Sequence, residues 1–129
     1  MGVSAYRANL EETEQAHWDD ARHGRVSFRV LLSSDATPSK GLVKGIADLG
    51  PGDVERIHRH DRPESVLVLE GTGEAEIDGE VYEMRPGDVF FVPENCWHEW
   101  RTKGERIRFL FTFPADRLND VTYVYPEDA

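Results

Sequence analysis

The chain carries a single cysteine, Cys96, among 129 residues. One thiol closes no internal bridge, so a disulfide scaffold is excluded and a reducing cytoplasm is the expected compartment. Positive charge is scarce as well: 15 Lys and Arg stand against 25 Asp and Glu, a net charge of -10. Nucleic-acid binding needs a basic face, so no nucleic-acid partner is expected. Long apolar runs are also missing. The opening Met1-Gly2-Val3-Ser4-Ala5-Tyr6 has no apolar stretch of the secretory kind, and Tyr6 stands where a myristoylation signal has Ser or Thr, so no membrane attachment is expected. The chain shows no low-complexity segment and no nucleophile standing beside a base. Cys96 reads as a small packed turn residue.

What is present is a succession of short strands. A chain of 129 residues suits one compact domain with a real core. Asn9 with Glu12 three residues on resembles a capped helix start, which predicts a short helix over Leu10 to Ala16. His17 and His23 are six apart, a spacing that fits neither one strand face nor one helix face, so both are expected to be solvated. Val26 to Leu32 reads as a strand and Ser33 to Lys40 as a polar loop. In a strand over Leu42 to Leu49, inward Val43, Gly45 and Ala47 are small enough to leave room beside them. Asp78-Gly79 predicts a hairpin between Glu74 to Ile77 and Glu80 to Met84. Val89 to Val92 reads as a buried strand. Arg106 to Phe113 alternates, with Ile107, Phe109, Phe111 and Phe113 on one face. Val121 to Tyr125 is a last candidate strand before an acidic tail. Short strands at such intervals predict an all-β barrel or sandwich.

Two stretches carry chemistry. Gly52 to Gly71 contains His58 and His60, which project from the same side of an extended segment because strand side chains alternate. Asp61-Arg62-Pro63 turns the chain, and an antiparallel return carries Glu64 back beside the imidazoles. In Gly87 to His98, a strand, the turn Pro93-Glu94-Asn95-Cys96 and a new strand from Trp97 to Arg101 bring in His98. Three imidazoles and a carboxylate suit a divalent first-row metal.

The two stretches resemble the paired motifs of the cupin superfamily. Gly52, His58, His60, Glu64 and Gly71 meet every position of the first motif, and Gly87, Pro93 and His98 match the second. Asn95 replaces the usual Gly and Thr102 the usual Asn. Asn tolerates a left-handed backbone well, so the turn is expected to survive, and Thr102 lies beyond the metal chemistry.

The resemblance implies a double-stranded β-helix, or jelly roll, with a short N-terminal arm. Residues 1–40 would form the arm and first strand, 41–114 the barrel core with both motifs, and 115–129 a C-terminal extension, all in one domain. It implies a metal on His58, His60, Glu64 and His98. That donor set accepts Fe, Mn, Ni, Cu or Zn, leaves a divalent ion a net local charge of about +1, and frees two positions if the ion is octahedral. The expected ligand is a small oxygenated or anionic molecule. Arg56, two residues before His58, is a candidate for the same mouth if the strand is regular, or else a rim arginine paired with a glutamate. Trp100, Phe109 and Phe111 are candidate pocket walls. The activities implied are those of a metal-dependent dioxygenase, lyase, decarboxylase or isomerase; the alternative is a non-catalytic ligand- or metal-binding module or sensor. A homodimer joined partly through residues 1–32 is also expected.

Overall fold

The computed structural model describes residues 2–129. Eleven strands follow one another: β1 (Ala16–Asp20), β2 (Gly24–Leu32), β3 (Val43–Leu49), β4 (Val54–His60), β5 (Glu64–Gly71), β6 (Gly73–Ile77), β7 (Glu80–Met84), β8 (Val89–Val92), β9 (His98–Arg101), β10 (Ile107–Phe113) and β11 (Tyr123–Val124). All pair antiparallel in one curled sheet of order β7-β6-β9-β4-β2-β3-β10-β5-β8, with β1 added on β2 and β11 on β4. Neighbours distant in sequence, such as β4 with β9 and β3 with β10, are the crossovers of a jelly roll. The expected all-β fold is the one observed.

Alternation builds the core. Along β10, Ile107, Phe109, Phe111 and Phe113 are buried while Arg108, Leu110 and Thr112 are only partly covered. Each large apolar side chain so buried contributes roughly 1.5–3 kcal/mol. These residues meet Val43, Ala47 and Leu49 of β3 and Val66 and Val68 of β5 inside the barrel. Asp78 and Gly79 both take positive φ, 52° and 82°, which suits the two-residue loop between β6 and β7. Gly71, at φ 77°, ends β5 where a Cβ would run into the Arg106 carbonyl oxygen, so only glycine lets β10 start there.

Three expectations need correction. The helix over Leu10 to Ala16 is a single 3-10 turn, Leu10–Glu12, capped by Asn9, whose side chain accepts from the Glu11 amide at 2.9 Å. Ala16 belongs to β1 instead, because the edge of β2 offers that segment a ladder and a place for Trp18 against Phe28. Strand β8 is buried on one face only: it lies at the end of the sheet, and Val89 and Phe91 are 67% and 68% exposed while Val92 is buried. A four-residue apolar run does not by itself tell an edge strand from a central one. The last strand is also shorter than predicted, with only Tyr123 and Val124 pairing, opposite His60 and Arg59.

Residues 16–32 make their ladders within this chain. Ahead of them, the Ser4 amide donates to the Pro38 carbonyl and the Leu10 carbonyl accepts from Arg29. Val3 and Tyr6 remain 69% and 52% exposed.

Candidate metal centre

His58 and His60 end β4, Glu64 begins β5 after the turn, and His98 begins β9, directly opposite His58. The second turn is tied to the first. Asn95 takes φ 60°, as its residue type allows, and its amide donates to the His60 carbonyl at 2.7 Å. At the far end of β9, buried Thr102 donates its hydroxyl to the Gly50 carbonyl and its amide to Asp53, so the replacement of Asn still fastens β9 to the turn before β4.

The imidazoles are oriented from behind. Nδ1 of His58, His60 and His98 lies 2.6, 2.7 and 2.9 Å from the carbonyl oxygens of Arg56, Arg62 and Cys96. A carbonyl only accepts, so each Nδ1 carries hydrogen, and in the neutral ring each Nε2 lone pair points inward. The three donor atoms lie within 4.8 Å of one another, and all three residues are at most 1% exposed. Glu64 Oε1 sits 3.2 Å from His60 Nε2 and 3.4 Å from His98 Nε2. His98 Nε2 nevertheless has no hydrogen bond and no contact with solvent. Buried polar atoms are seldom orphaned. Converging lone pairs beside a carboxylate require a cation among them, a proton or a metal. The donor chemistry fits a divalent transition metal, and oriented imidazoles backed by carbonyls are the usual support of such ligands.

The ionisation pattern has the same origin. Burial, then the neighbouring His98, drives the His58 pKa down to about 3. Burial works against a charged His60, but the hydrogen bond and charge of Glu64 outweigh it and raise the pKa. Burial alone would raise Glu64, yet the His60 and His98 imidazoles bring it down to about 2.

Beside these groups lies a cavity with about 370 Å³ of empty space, its open mouth included. Its walls include Trp18, Phe28, Glu55, Glu64, Phe109, Phe111 and Tyr123. Phe109 and Phe111 are thus wall residues of this cavity. Trp100 is not: it is buried behind His98, ring centroids 5.6 Å apart, and packs on Phe90 and Phe109. Arg56 also lies elsewhere. The β4–β9 register breaks between Glu55 and His58, which reverses the alternation and turns Arg56 outward. Its guanidinium donates to the Ala21 and Arg22 carbonyls at 2.6 and 3.0 Å and faces Glu127 at 3.4 Å, the rim pairing weighed as the alternative. The Ile57 amide is satisfied by the Glu99 carboxylate at 3.2 Å, which Arg101 holds at 2.9 Å.

Glu55 is therefore the inward residue. It is buried, and His58 Nε2 lies 3.8 Å from its carboxylate. Burial and the negative charge of Glu64 push its pKa up to about 8. Tyr123 stacks on His58 at 5.2 Å, and burial followed by the Glu64 and Glu55 charges raises its pKa. His23 is half-buried rather than fully solvated: it stacks on Trp18 at 4.2 Å and meets Asp20 at 2.9 Å, whereas His17 is exposed. Sequence reading missed Glu55, Trp18 and Tyr123. The one available signal was Trp18, a large aromatic in a segment with no evident core of its own.

A curled antiparallel barrel with imidazoles gathered at its mouth defines a cupin, and residues 45–113 match the cupin domain family. The chain belongs to that family. Among its relatives, it is 34% identical over 110 residues to the dimethylsulfoniopropionate lyase DddW of Ruegeria pomeroyi, covering 85% of this chain and 72% of the lyase. It is 35% identical over 71 residues to the 5-nitrosalicylic acid 1,2-dioxygenase of a Bradyrhizobium species, covering 55% of this chain but only 34% of that enzyme. The structure of the polyketide cyclase RemF from Streptomyces resistomycificus superposes with a TM-score of 0.82 at 20% identity, over 97% of this chain and 89% of RemF, a likeness of fold. The cupin relatives thus include lyases and dioxygenases, and enzymatic activity in general is supported. No described helix is long and apolar enough to cross a membrane.

Proposed function

We propose that this protein is a metal-dependent lyase acting on a small carboxylate, with one divalent metal (Fe, Mn, Ni, Cu or Zn) held by His58, His60, Glu64 and His98. The observation that carries the reading is the convergence of three carbonyl-anchored imidazoles on one buried point beside a carboxylate, with an Nε2 left unpartnered. Held by these four residues, a divalent ion would supply a Lewis acid able to polarise a carboxylate and acidify the adjacent C–H. The aromatic walls exclude water from the reacting carbon, and Glu55, Glu64 and Tyr123 are the titratable groups on the cavity wall. In an elimination the α-proton leaves to a base, a C=C bond forms, and the bond to the β-substituent breaks with its electron pair on the leaving group.

A lyase is favoured over a ring-cleaving dioxygenase by size. The cavity is small, with about 370 Å³ of empty space even when its open mouth is included. A short aliphatic acid suits that space better than a substituted benzene ring. The similarity to a dimethylsulfoniopropionate lyase over most of this chain agrees. The reading keeps a cytoplasmic homodimer, for which exposed Val3 and Tyr6 of the arm are apolar contact residues.

The test is to assay metal-loaded protein with dimethylsulfoniopropionate and other short β-substituted carboxylates, with and without oxygen, following the alkenoate product. Turnover that persists without oxygen and disappears on chelation is expected. Oxygen consumption stoichiometric with substrate would establish the dioxygenase instead, and ligand binding without turnover under every condition would establish the non-catalytic module.

A further inference from the structure

We infer that Glu99 is a positioning residue of the metal centre: its carboxylate grips the N–H of the one peptide group whose carbonyl orients His58. This deepens the proposed reading and rests on it, since the affinity at stake is that of the ion assigned to His58, His60, Glu64 and His98. Glu99 itself belongs neither to the cavity wall nor to the imidazole cluster, so it acts only through His58.

The bulge in β4 carries the argument. Between Glu55, opposite Trp100, and His58, opposite His98, the two residues Arg56 and Ile57 face the single residue Glu99 of β9. Had the register run on unbroken, Ile57 would stand opposite His98, and the alternation that buries Glu55 would turn His58 outward. A bulge takes backbone groups out of the ladder, and those groups need other partners. Here the Arg56 amide donates to the His23 carbonyl at 2.9 Å and the Ile57 amide to Glu99 Oε1 at 3.2 Å. The Ile57 N–H and the Arg56 C=O belong to the same planar peptide group, and that carbonyl accepts from His58 Nδ1 at 2.6 Å. A grip on the N–H end of the plane therefore fixes the carbonyl end, and with it the direction of His58 Nε2. A carboxylate at the N–H also polarises the peptide and strengthens its carbonyl as an acceptor. Glu99 is in turn held: its Oε2 accepts from Arg101 at 2.9 Å, and Arg101 also donates to Glu74 and Glu76 of β6 at 3.1 Å each. The carbonyl behind His60 belongs to the Arg62–Pro63 peptide, which has no N–H to grip, so a carboxylate can act in this way on His58 but not on His60.

The experiment measures zinc affinity by chelator competition, and the Nδ1–H resonances of His58 and His60 by NMR of isotope-labelled protein, in the wild type, Glu99→Ala and Glu99→Gln. Glu99→Ala should weaken zinc binding by about 10–100-fold and shift the His58 resonance while leaving that of His60 in place. Glu99→Gln keeps an acceptor oxygen for the Ile57 amide and should recover most of the lost affinity. Zinc affinity in Glu99→Ala within about twofold of the wild type, with the His58 resonance unmoved, would overturn the inference. So would a loss in Glu99→Gln equal to that in Glu99→Ala, or a His60 resonance that moves as far as that of His58, because Glu99 would then support the sheet at large. If the wild type bound no zinc, the metal reading would fail by itself. The same two resonances in metal-free protein would still decide the positioning role: a shift of His58 alone in Glu99→Ala upholds it, and no shift overturns it.

Discussion

Glu55→Gln in metal-free protein provides a sharp energetic test of the buried site. The Glu55 pKa lies near 8 in the folded protein against 4.5 for the free side chain, because burial and Glu64 both oppose its charge. A folded pKa above the unfolded one means that the native state holds the proton more tightly between the two values. The associated stability is complete below about pH 4.5 and is lost as pH rises towards 8. The slope in that window approaches about 1.4 kcal/mol per pH unit, so from about pH 5 to about pH 7.5 the wild type should lose about 3 kcal/mol relative to a variant that cannot ionise. Urea unfolding of chelator-treated wild type and Glu55→Gln at both pH values measures the difference directly. The variant should gain on the wild type as pH rises. Parallel profiles would refute the reasoning, because they would mean that Glu55 is ionised throughout and has a cationic partner in the protein itself.

Two further outcomes follow from packing and linkage. At Gly45 a Cβ would overlap the Phe111 ring and come within 2.8 Å of the Arg29 carbonyl oxygen, so Gly45→Ala should cost about 1–3 kcal/mol in urea unfolding, and a change within about 0.5 kcal/mol would count against this packing. A metal present at about a hundred times its dissociation constant stabilises the native state by about 2.7 kcal/mol, which for 129 residues is about 10 °C in Tm; chelation should lower the melting temperature by that order, and an unchanged Tm would mean that the metal does not bind the folded state selectively.

The difference between what the sequence revealed and what it hid is a difference of range. His58, His60 and Glu64 lie on two strands joined by one tight turn, so their spacing alone brings them together. His98 follows a second turn whose Asn95 adopts the backbone its type favours. The alternation of β10 was equally local and put Phe109 and Phe111 on one face, which lines the cavity. Arg56 and Glu55 exchange places because of a register break stabilised by Glu99 on a different strand, a partner that β4 does not announce. Trp18 and Tyr123 come from opposite ends of the chain and meet with ring centroids 5.8 Å apart only because β1 joins β2 and β11 joins β4. The predicted helix failed for a related reason: a cap signal at Asn9 was real, but the sheet edge outcompeted helix propensity beyond one turn.

The central claim is that one divalent metal sits among His58, His60, Glu64 and His98, and metal content tests it most directly. Elemental analysis of protein loaded with a divalent transition metal and desalted should find about one ion per chain, while the His60→Ala, His98→Ala double variant, checked by circular dichroism for an intact strand signal, should retain none. A folded double variant that keeps the full complement of metal would contradict the account.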